Sequence, residues 1–463
     1  MQSFKIAGRN WLSSWLLFAA VALAPLPFGS TDRPVIAIWC GILGLAVVFA
    51  SLRELRPRQL LPLLALAVVF VGYLFVLYEQ LADHPLLAIA PHPAWDQAAG
   101  NLHEALPPSI SAVRDEPFFA IGTPLAAMLA FAASFIVCSD RRRANQILEV
   151  IAWSGVAYAV IGIALFVLDP SKVLWREKLA YTSSLTATFV NRNTAAVYFG
   201  SCAIVCLLFL FRALHARSGE GVTMRQAWAA AILLPARDVV QPFLMFLVCF
   251  TAMLMTASRA GIVFSFVGLV IAFAAFHRRR WRPGGGLLIA FVAASIIAFA
   301  SLQLLGGGVG NRFNENGLVD AARIETYRST LKLIADHPWF GTGLGTFEWT
   351  FPAYRSDVGS IWGIWNRAHN SLLEIAAEMG VPMAVAVAVA WALALWQLGR
   401  GVARRRRDLA VVAAALAAAV VGLLHSLVNF SLQIPRYAIV IFALVGAGIA
   451  QSYPSEQRSK SLR

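Results

Sequence analysis

Long apolar runs separated by short arginine-bearing segments dominate the chain. Crossing the hydrocarbon core takes about 20 apolar residues, within a range of roughly 17 to 25. Twelve segments meet that length: 11–28, 34–52, 59–78, 118–138, 147–169, 193–213, 240–258, 260–276, 286–305, 381–398, 409–428 and 435–452. The pair meeting at Ser258-Arg259-Ala260-Gly261 needs a very tight turn. With the N-terminus in the cytoplasm, the alternation places Arg53, Arg56 and Arg58, then Arg141 to Arg143, then Arg212, Arg217, Arg225 and Arg237 inside. Arg278 to Arg280, Arg404 to Arg407 and the tail with Arg458, Lys460 and Arg463 fall on the same side. That is the positive-inside pattern, and a miscounted helix would break it from that point on. Lys5 and Arg9 before the first run resemble a signal peptide, but further apolar segments follow at once, so an uncleaved first helix is expected.

Three sizeable segments remain outside: 79–117, 170–192 and 306–380. In the last, Ile324, Tyr327, Leu331 and Ile334 recur at spacings of three and four, which predicts an amphipathic helix. It should stop near Asp336-His337-Pro338 and lie on the bundle or the lipid interface.

Composition agrees with the pattern. Hydrophobic residues make up 59% and charged residues 13% of the 463, against about 25% charged in soluble domains. Mean hydropathy is +0.69. The fold class is therefore an all-α polytopic membrane protein. A net charge of +14 would suggest nucleic acid in a soluble chain, but here the basic residues sit between apolar runs as topology signals. Cys40, Cys138, Cys202, Cys206 and Cys249 lie in or at the ends of apolar runs without zinc or disulfide spacing, and read as small buried hydrophobes. No fixed-period repeat is visible, and the alanine-rich 409–420 fits close helix packing.

Ionisable groups at an apolar bundle are costly unless paired or hydrated, which makes each one a functional candidate. Arg192, Arg259, Arg323, Arg328, Arg367, His369 and His425 all fall at or beyond outer helix ends, where positive-inside bias does not explain them. Asn191-Arg192-Asn193 opens the sixth apolar helix, and Ser258-Arg259 opens the eighth. Each has a plain reading, a cap with a snorkelling arginine or an interfacial anchor. Together two guanidiniums form a fork for phosphate oxygens. His369 stands in Asn366-Arg367-Ala368-His369-Asn370-Ser371-Leu372, ahead of Glu374 and Glu378. A histidine titrating near neutrality can take a proton from a hydroxyl and release it later, although a lone loop histidine is usually just solvated. Asn370 is placed to hold the ring or a substrate hydroxyl. His425 and Asn429, four apart, form either a packing pair or a substrate contact. His84, His92 and His103 lack metal-like spacing and read as surface residues. Gly341-Thr342-Gly343-Leu344-Gly345 lacks the strand that a nucleotide loop requires and reads as a tight turn.

The run RIETYRSTLKLIADHPWFGTGLGTF from Arg323 to Phe347, followed by Ala368-His369-Asn370 and LLEIAAEMG, resembles the core of the O-antigen ligase and polymerase family. The NRN, SRAG and HSLVNFSLQIP elements agree, so the resemblance spans roughly 185–440. It divides the chain into N-terminal helices (1–184), a ligase-related core (185–440) and a terminal segment (441–463). It implies a GT-C-like glycosyltransferase of the bacterial inner membrane, with both termini cytoplasmic and the active site periplasmic. Such an enzyme moves a glycan from an undecaprenyl-diphosphate carrier to an acceptor hydroxyl, with inversion and with neither metal nor other cofactor. The acceptor would be a glycan, lipid A-core or another hydroxyl compound. The resemblance maps the family's histidine onto His369 and its arginines onto Arg192, Arg259 and Arg323. Asn191, Asn193, Arg328, Arg367, Asn370, His425 and Asn429 are left in support. Asn429 departs from the aspartate expected in many relatives. A twelve-helix transporter and a non-catalytic subunit of a polysaccharide export complex are the competing classes. A transporter places its ionisable sites near the midplane, often with repeat symmetry, and neither feature is visible.

Overall fold

The computed structural model describes residues 2–26, 28–217, 237–278, 321–356, 365–405 and 409–453. The apolar segment 286–305, residues 306–320 at the start of the large polar segment and the tail from 454 lie outside the described residues. The first half of the chain forms α1 (Gln2–Leu23), α2 (Arg33–Phe49), α3 (Leu60–Leu81), α4 (Ala94–Leu102), α5 (Glu116–Ala120), α6 (Gly122–Val137) and α7 (Arg141–Leu168). A two-stranded hairpin follows, β1 (Lys172–Val173) against β2 (Arg176–Glu177). The second half forms α8 (Arg192–Arg217), α9 (Arg237–Met255), α10 (Arg259–His277), α11 (Ala321–Asp336), α12 (Phe347–Thr350), α13 (Ser371–Met379), α14 (Val381–Arg404), α15 (Ala410–Ser426) and α16 (Pro435–Gln451).

Among the described residues, seven helices are long and apolar enough to cross a membrane: Pro57–Leu81, Glu116–Val137, Arg141–Leu168, Arg192–Arg217, Arg237–Met255, Arg259–His277 and Val381–Arg404. The segments expected at 11–28, 34–52, 409–428 and 435–452 form shorter apolar helices, Asn10–Leu23, Arg33–Phe49, Ala410–Ser426 and Pro435–Gln451. Local chemistry trims them. Pro25 follows the first, the second leads into the turn at Leu52–Glu54, and Pro435 can open a helix but cannot continue one.

α8 is the hub, with 89% of its apolar window buried. It packs against α9, α10, α15 and α7, while α16 packs against α6 and α15. Small residues permit these crossings. A Cβ on Gly446 would meet the Phe131 carbonyl oxygen at 2.5 Å, and one on Gly448 would meet the Ala415 Cβ at 2.2 Å. In lipid, where hydrophobic association is weak, such close backbone approach supplies much of the packing. Four of the cysteines, Cys138, Cys202, Cys206 and Cys249, are buried and Cys40 is partly so.

The segments between the apolar helices differ from the sequence reading in two places. α11 ends at Asp336, and its buried face follows the apolar stripe only in part, at Ile334, which is buried. Thr326, Ser329, Thr330 and Leu333 are fully buried, whereas Ile324 and Leu331 are 39% and 53% exposed. The hydroxyls of Thr326 and Thr330 donate to Ala322 and Thr326 carbonyls at 2.8 and 2.7 Å, which satisfies them inside the helix and lets a polar face be buried. His92 is also no plain surface residue: its ring stacks on that of His337 at 4.8 Å. Burial and the neighbouring His337 push His92 down to about 4. Gly341, Gly343 and Gly345 take φ of +64°, +109° and +81°, the left-handed turn geometry that glycine allows. The turn is pinned by N–H groups of Thr342 and Gly343 donating to the Ala377 and Glu378 carbonyls at 2.9 and 3.0 Å.

Candidate functional site

Two arginines open adjacent helices. The Asn191 Oδ1 accepts from the Asn193 N–H at 2.8 Å, which starts α8 with an Asx turn. Ser258 caps α10 by accepting from the Gly261 N–H at 3.3 Å. The same Ser258 hydroxyl donates to Asn193 Oδ1 at 2.8 Å, tying the two helix starts together. Gly261 makes the approach possible, since a Cβ there would sit 2.5 Å from that of Ala196. Arg192 and Arg259 are therefore the first residues of two bonded helix ends. A guanidinium at a helix N-terminus adds to the positive end of the macrodipole instead of offsetting it, and the arrangement is suited to an anion. The Arg192 Nη1 donates to Ser184 Oγ at 3.1 Å, and its guanidinium lies 4.9 Å from the Tyr181 ring centre.

The histidine sits on a braced turn. His369 has φ +53°, a conformation in which histidine, asparagine and aspartate are enriched among non-glycine residues. Its carbonyl accepts from the Tyr327 hydroxyl at 3.0 Å. Just before it, the fully buried Glu374 accepts from Arg367 Nη1 at 2.9 Å and from the Ala368 N–H at 2.8 Å. Just after it, Asn370 Oδ1 caps α13 by accepting from the Leu372 and Leu373 N–H groups, both at 3.1 Å. The imidazole packs edge-on between Trp365 and Phe430, with centroids 5.3 and 5.2 Å away.

One short segment joins the parts. The Tyr327 hydroxyl reaches the Leu427 carbonyl at 3.4 Å, and Arg323 Nη1 donates to the Val428 carbonyl at 3.0 Å. Ser371 Oγ donates to the Asn429 carbonyl at 3.4 Å, and Phe430 carries the His369 ring. Ser431 Oγ bonds Thr194 Oγ1 at 3.1 Å and His425 Nδ1 at 2.9 Å. Residues 427–431 thus link α11, the histidine turn and the start of α8 in consecutive steps.

The structure redistributes several candidate roles. Asn370 and Asn191 spend their side-chain oxygens on helix starts. Asn429 Oδ1 accepts from the next backbone N–H, of Phe430, at 2.8 Å. α15 ends at Ser426, so Asn429 does not share a helical face with His425. His425 is fully buried against Ser431. Arg328 stays outside the cluster, 69% exposed and 3.4 Å from Glu325. Among the described residues no group of three or more His, Cys, Asp or Glu could hold a metal ion.

The sequence reading passed over the buried Arg436 and left the role of Glu374 unread. Arg436, second in α16, is 1% exposed, with its Cζ 3.0 Å from the Phe189 ring centre. The cost of an ionisable group in an apolar run is a signal that applies to it as much as to Arg192. Glu374 was visible only as an acid downstream of the histidine, because nothing in the spacing reveals its two donors.

Glu378, nearly buried at the end of α13, has its carboxyl pushed up to about 8, first by burial and then by the Glu374 charge, while Arg367 and the Phe347 N–H oppose the shift. The folded protein then binds this proton more tightly than the unfolded chain, whose carboxyl titrates near 4.5. Its contribution to stability is complete below that value and is lost as pH rises towards about 8. Glu378→Gln, neutral throughout, is expected to flatten the fall in melting temperature between about pH 5 and about pH 8. An unchanged slope in the variant would assign the fall to other groups.

The fold and the gathered helix ends define an all-α, multi-pass membrane protein with a polar site at helix termini. Residues 244–388 match the family described as O-antigen ligase, which supports a relationship of this stretch to the O-antigen ligases and polymerases. Among curated proteins no sequence matches the chain. The matched stretch contains Arg259, Arg323, Arg367 and His369, whereas Arg192, His425 and Asn429 lie outside it.

Proposed function

We propose that this protein transfers a glycan from an undecaprenyl-diphosphate carrier to an acceptor hydroxyl on the periplasmic face of a bacterial inner membrane. It acts there as a polymerase or ligase of O-antigen, capsule or exopolysaccharide, through twelve helices in a GT-C-like arrangement with both termini cytoplasmic. The observation that carries this reading is the 427–431 segment, which brings Arg323, the His369 turn and the Asn191-Arg192-Asn193 helix start to one place. The reaction needs no metal in this reading. The acceptor hydroxyl gives its proton to the His369 imidazole as its oxygen attacks the anomeric carbon. The bond from that carbon to the diphosphate oxygen breaks on the opposite face, so configuration inverts. Charge developing on the leaving diphosphate meets Arg192, Arg259 and Arg323, and Arg192 and Arg323 are held on Ser184 and the Val428 carbonyl before reaction.

The test is a deletion strain complemented with wild type or with Arg192→Ala, read by electrophoresis of surface glycans. Deletion should abolish long polymer if the enzyme is a polymerase, or leave polymer on the carrier if it is a ligase. Arg192→Ala is expected to restore about 10²-fold less transfer than wild type, the scale seen when one fixed donor to a developing anion is removed. Unaltered surface glycans in the deletion strain would overturn the function. Full restoration by Arg192→Ala would remove that arginine from the site.

A further inference from the structure

The segment between α7 and α8 brings a cation to the site that the sequence reading passed over. After the hairpin, Lys178 Nζ donates to the Ser184 carbonyl at 3.1 Å. Arg192 Nη1 donates to the hydroxyl of the same Ser184, also at 3.1 Å. Two positive heads thus converge on one serine that is itself 1% exposed. The acids on this segment do not pair with Lys178. Asp169 is held by Lys172 at 3.2 Å and Glu177 is exposed, and Lys178 forms no ion pair among the described residues. Burial lowers the Lys178 pKa, with the Asp169 charge opposing.

A further buried cation packs against the end of the same segment. Five residues beyond Ser184, Phe189 stacks on the buried Arg436, whose Nε and Nη1 have no hydrogen-bond partner among the described residues. A buried cation without an anion is costly, and cation–π contact with phenylalanine offsets only part of that cost. Lys178 and Arg192 on one serine, with no carboxylate bonded to Lys178 among the described residues, form a pair of charges that a multiply charged anion relieves.

We propose that Lys178 is a second phosphate-binding residue of the donor site, so that Arg192 and Lys178 hold adjacent phosphates of a lipid diphosphate on either side of Ser184. The inference rests on the reading of Arg192 as a diphosphate ligand and extends it to a distinction between lipid diphosphates and monophosphates. Two cations at a fixed separation engage two phosphates and leave one idle on a monophosphate, and charge-assisted bonds of this kind are the strong ones. Lysine suits the role as a compact point charge on a flexible stem.

The experiment measures binding of undecaprenyl diphosphate and of undecaprenyl phosphate to full-length protein in detergent, for wild type, Lys178→Gln, Lys178→Arg and Arg192→Ala, with melting temperature followed alongside. Lys178→Gln is expected to weaken diphosphate binding by about tenfold, the effect of one charge-assisted contact, while monophosphate binding changes little. Lys178→Arg should recover most of that loss. If Lys178→Gln binds the diphosphate as wild type does while Arg192→Ala does not, the inference fails and the donor-site reading stands. If Lys178→Gln melts lower and loses both lipids equally, Lys178 is a structural clamp on the Ser184 carbonyl and the inference also fails. If Arg192→Ala binds the diphosphate undiminished, the donor-site reading itself fails.

Discussion

Replacing His369 by asparagine is expected to lower glycan transfer by about 10²- to 10⁴-fold, the usual contribution of a positioned general base, with little loss of fold stability. Asparagine is the informative choice because position 369 has φ +53°. Asparagine shares histidine's tolerance of that region, so the turn and the Tyr327 bond to the 369 carbonyl remain. The amide cannot accept the hydroxyl proton. Alanine at the same position mixes the loss of the base with backbone strain and with loss of the Trp365 and Phe430 ring contacts. The measurement is the transfer rate with lipid-linked donor, with the melting temperature as control. An asparagine variant that transfers within a few-fold of wild type would show that another group takes the proton.

Glu374→Ala is the second large effect, and it acts through position. The Glu374 carboxylate is fully buried and holds both the Arg367 guanidinium and the Ala368 N–H. Bonds to a charged acceptor are worth about 1.5–3 kcal/mol each. Arg367 keeps 36% of its side chain in contact with solvent, which discounts its share. A loss of about 3 kcal/mol is therefore expected, with the histidine turn loosened and transfer reduced along with it. Glu374→Gln retains an acceptor for the Ala368 N–H and should recover more transfer than stability, because the turn is rebuilt while the charge pair is not. Equal melting temperatures for wild type and Glu374→Ala would refute the bracing role.

Legibility was uneven, for physical reasons. The helices were readable because lipid demands long apolar runs whose backbone groups are satisfied within the segment. Hydropathy alone overran the ends of four of them, where turns and prolines decide. The Gly341 to Gly345 turn was readable from composition, since three glycines with positive φ mark a turn. The buried face of α11 was readable only at Ile334, because threonine hydroxyls that bond back to their own helix can be buried at little cost. The His425 and Asn429 pairing failed because α15 stops at Ser426, inside the predicted helical register.

By itself the sequence determined a multi-pass, all-α membrane protein whose costly polar residues cluster at helix ends, and its resemblance to the ligase and polymerase family picked Arg192, Arg259, Arg323 and His369 out of that cluster. The class and the cluster rest on local terms, the transfer cost of charge and the length of apolar runs, whereas the choice within the cluster rests on the resemblance. Only the tertiary structure decided which of those residues meet. The segment 427–431 touches α11, the histidine turn and α8 in turn, Ser258 reaches Asn193, and Lys178 shares Ser184 with Arg192. Contacts between residues as much as 237 positions apart depend on how helices cross, and crossing is set by small residues such as Gly261 whose role shows only against their neighbours.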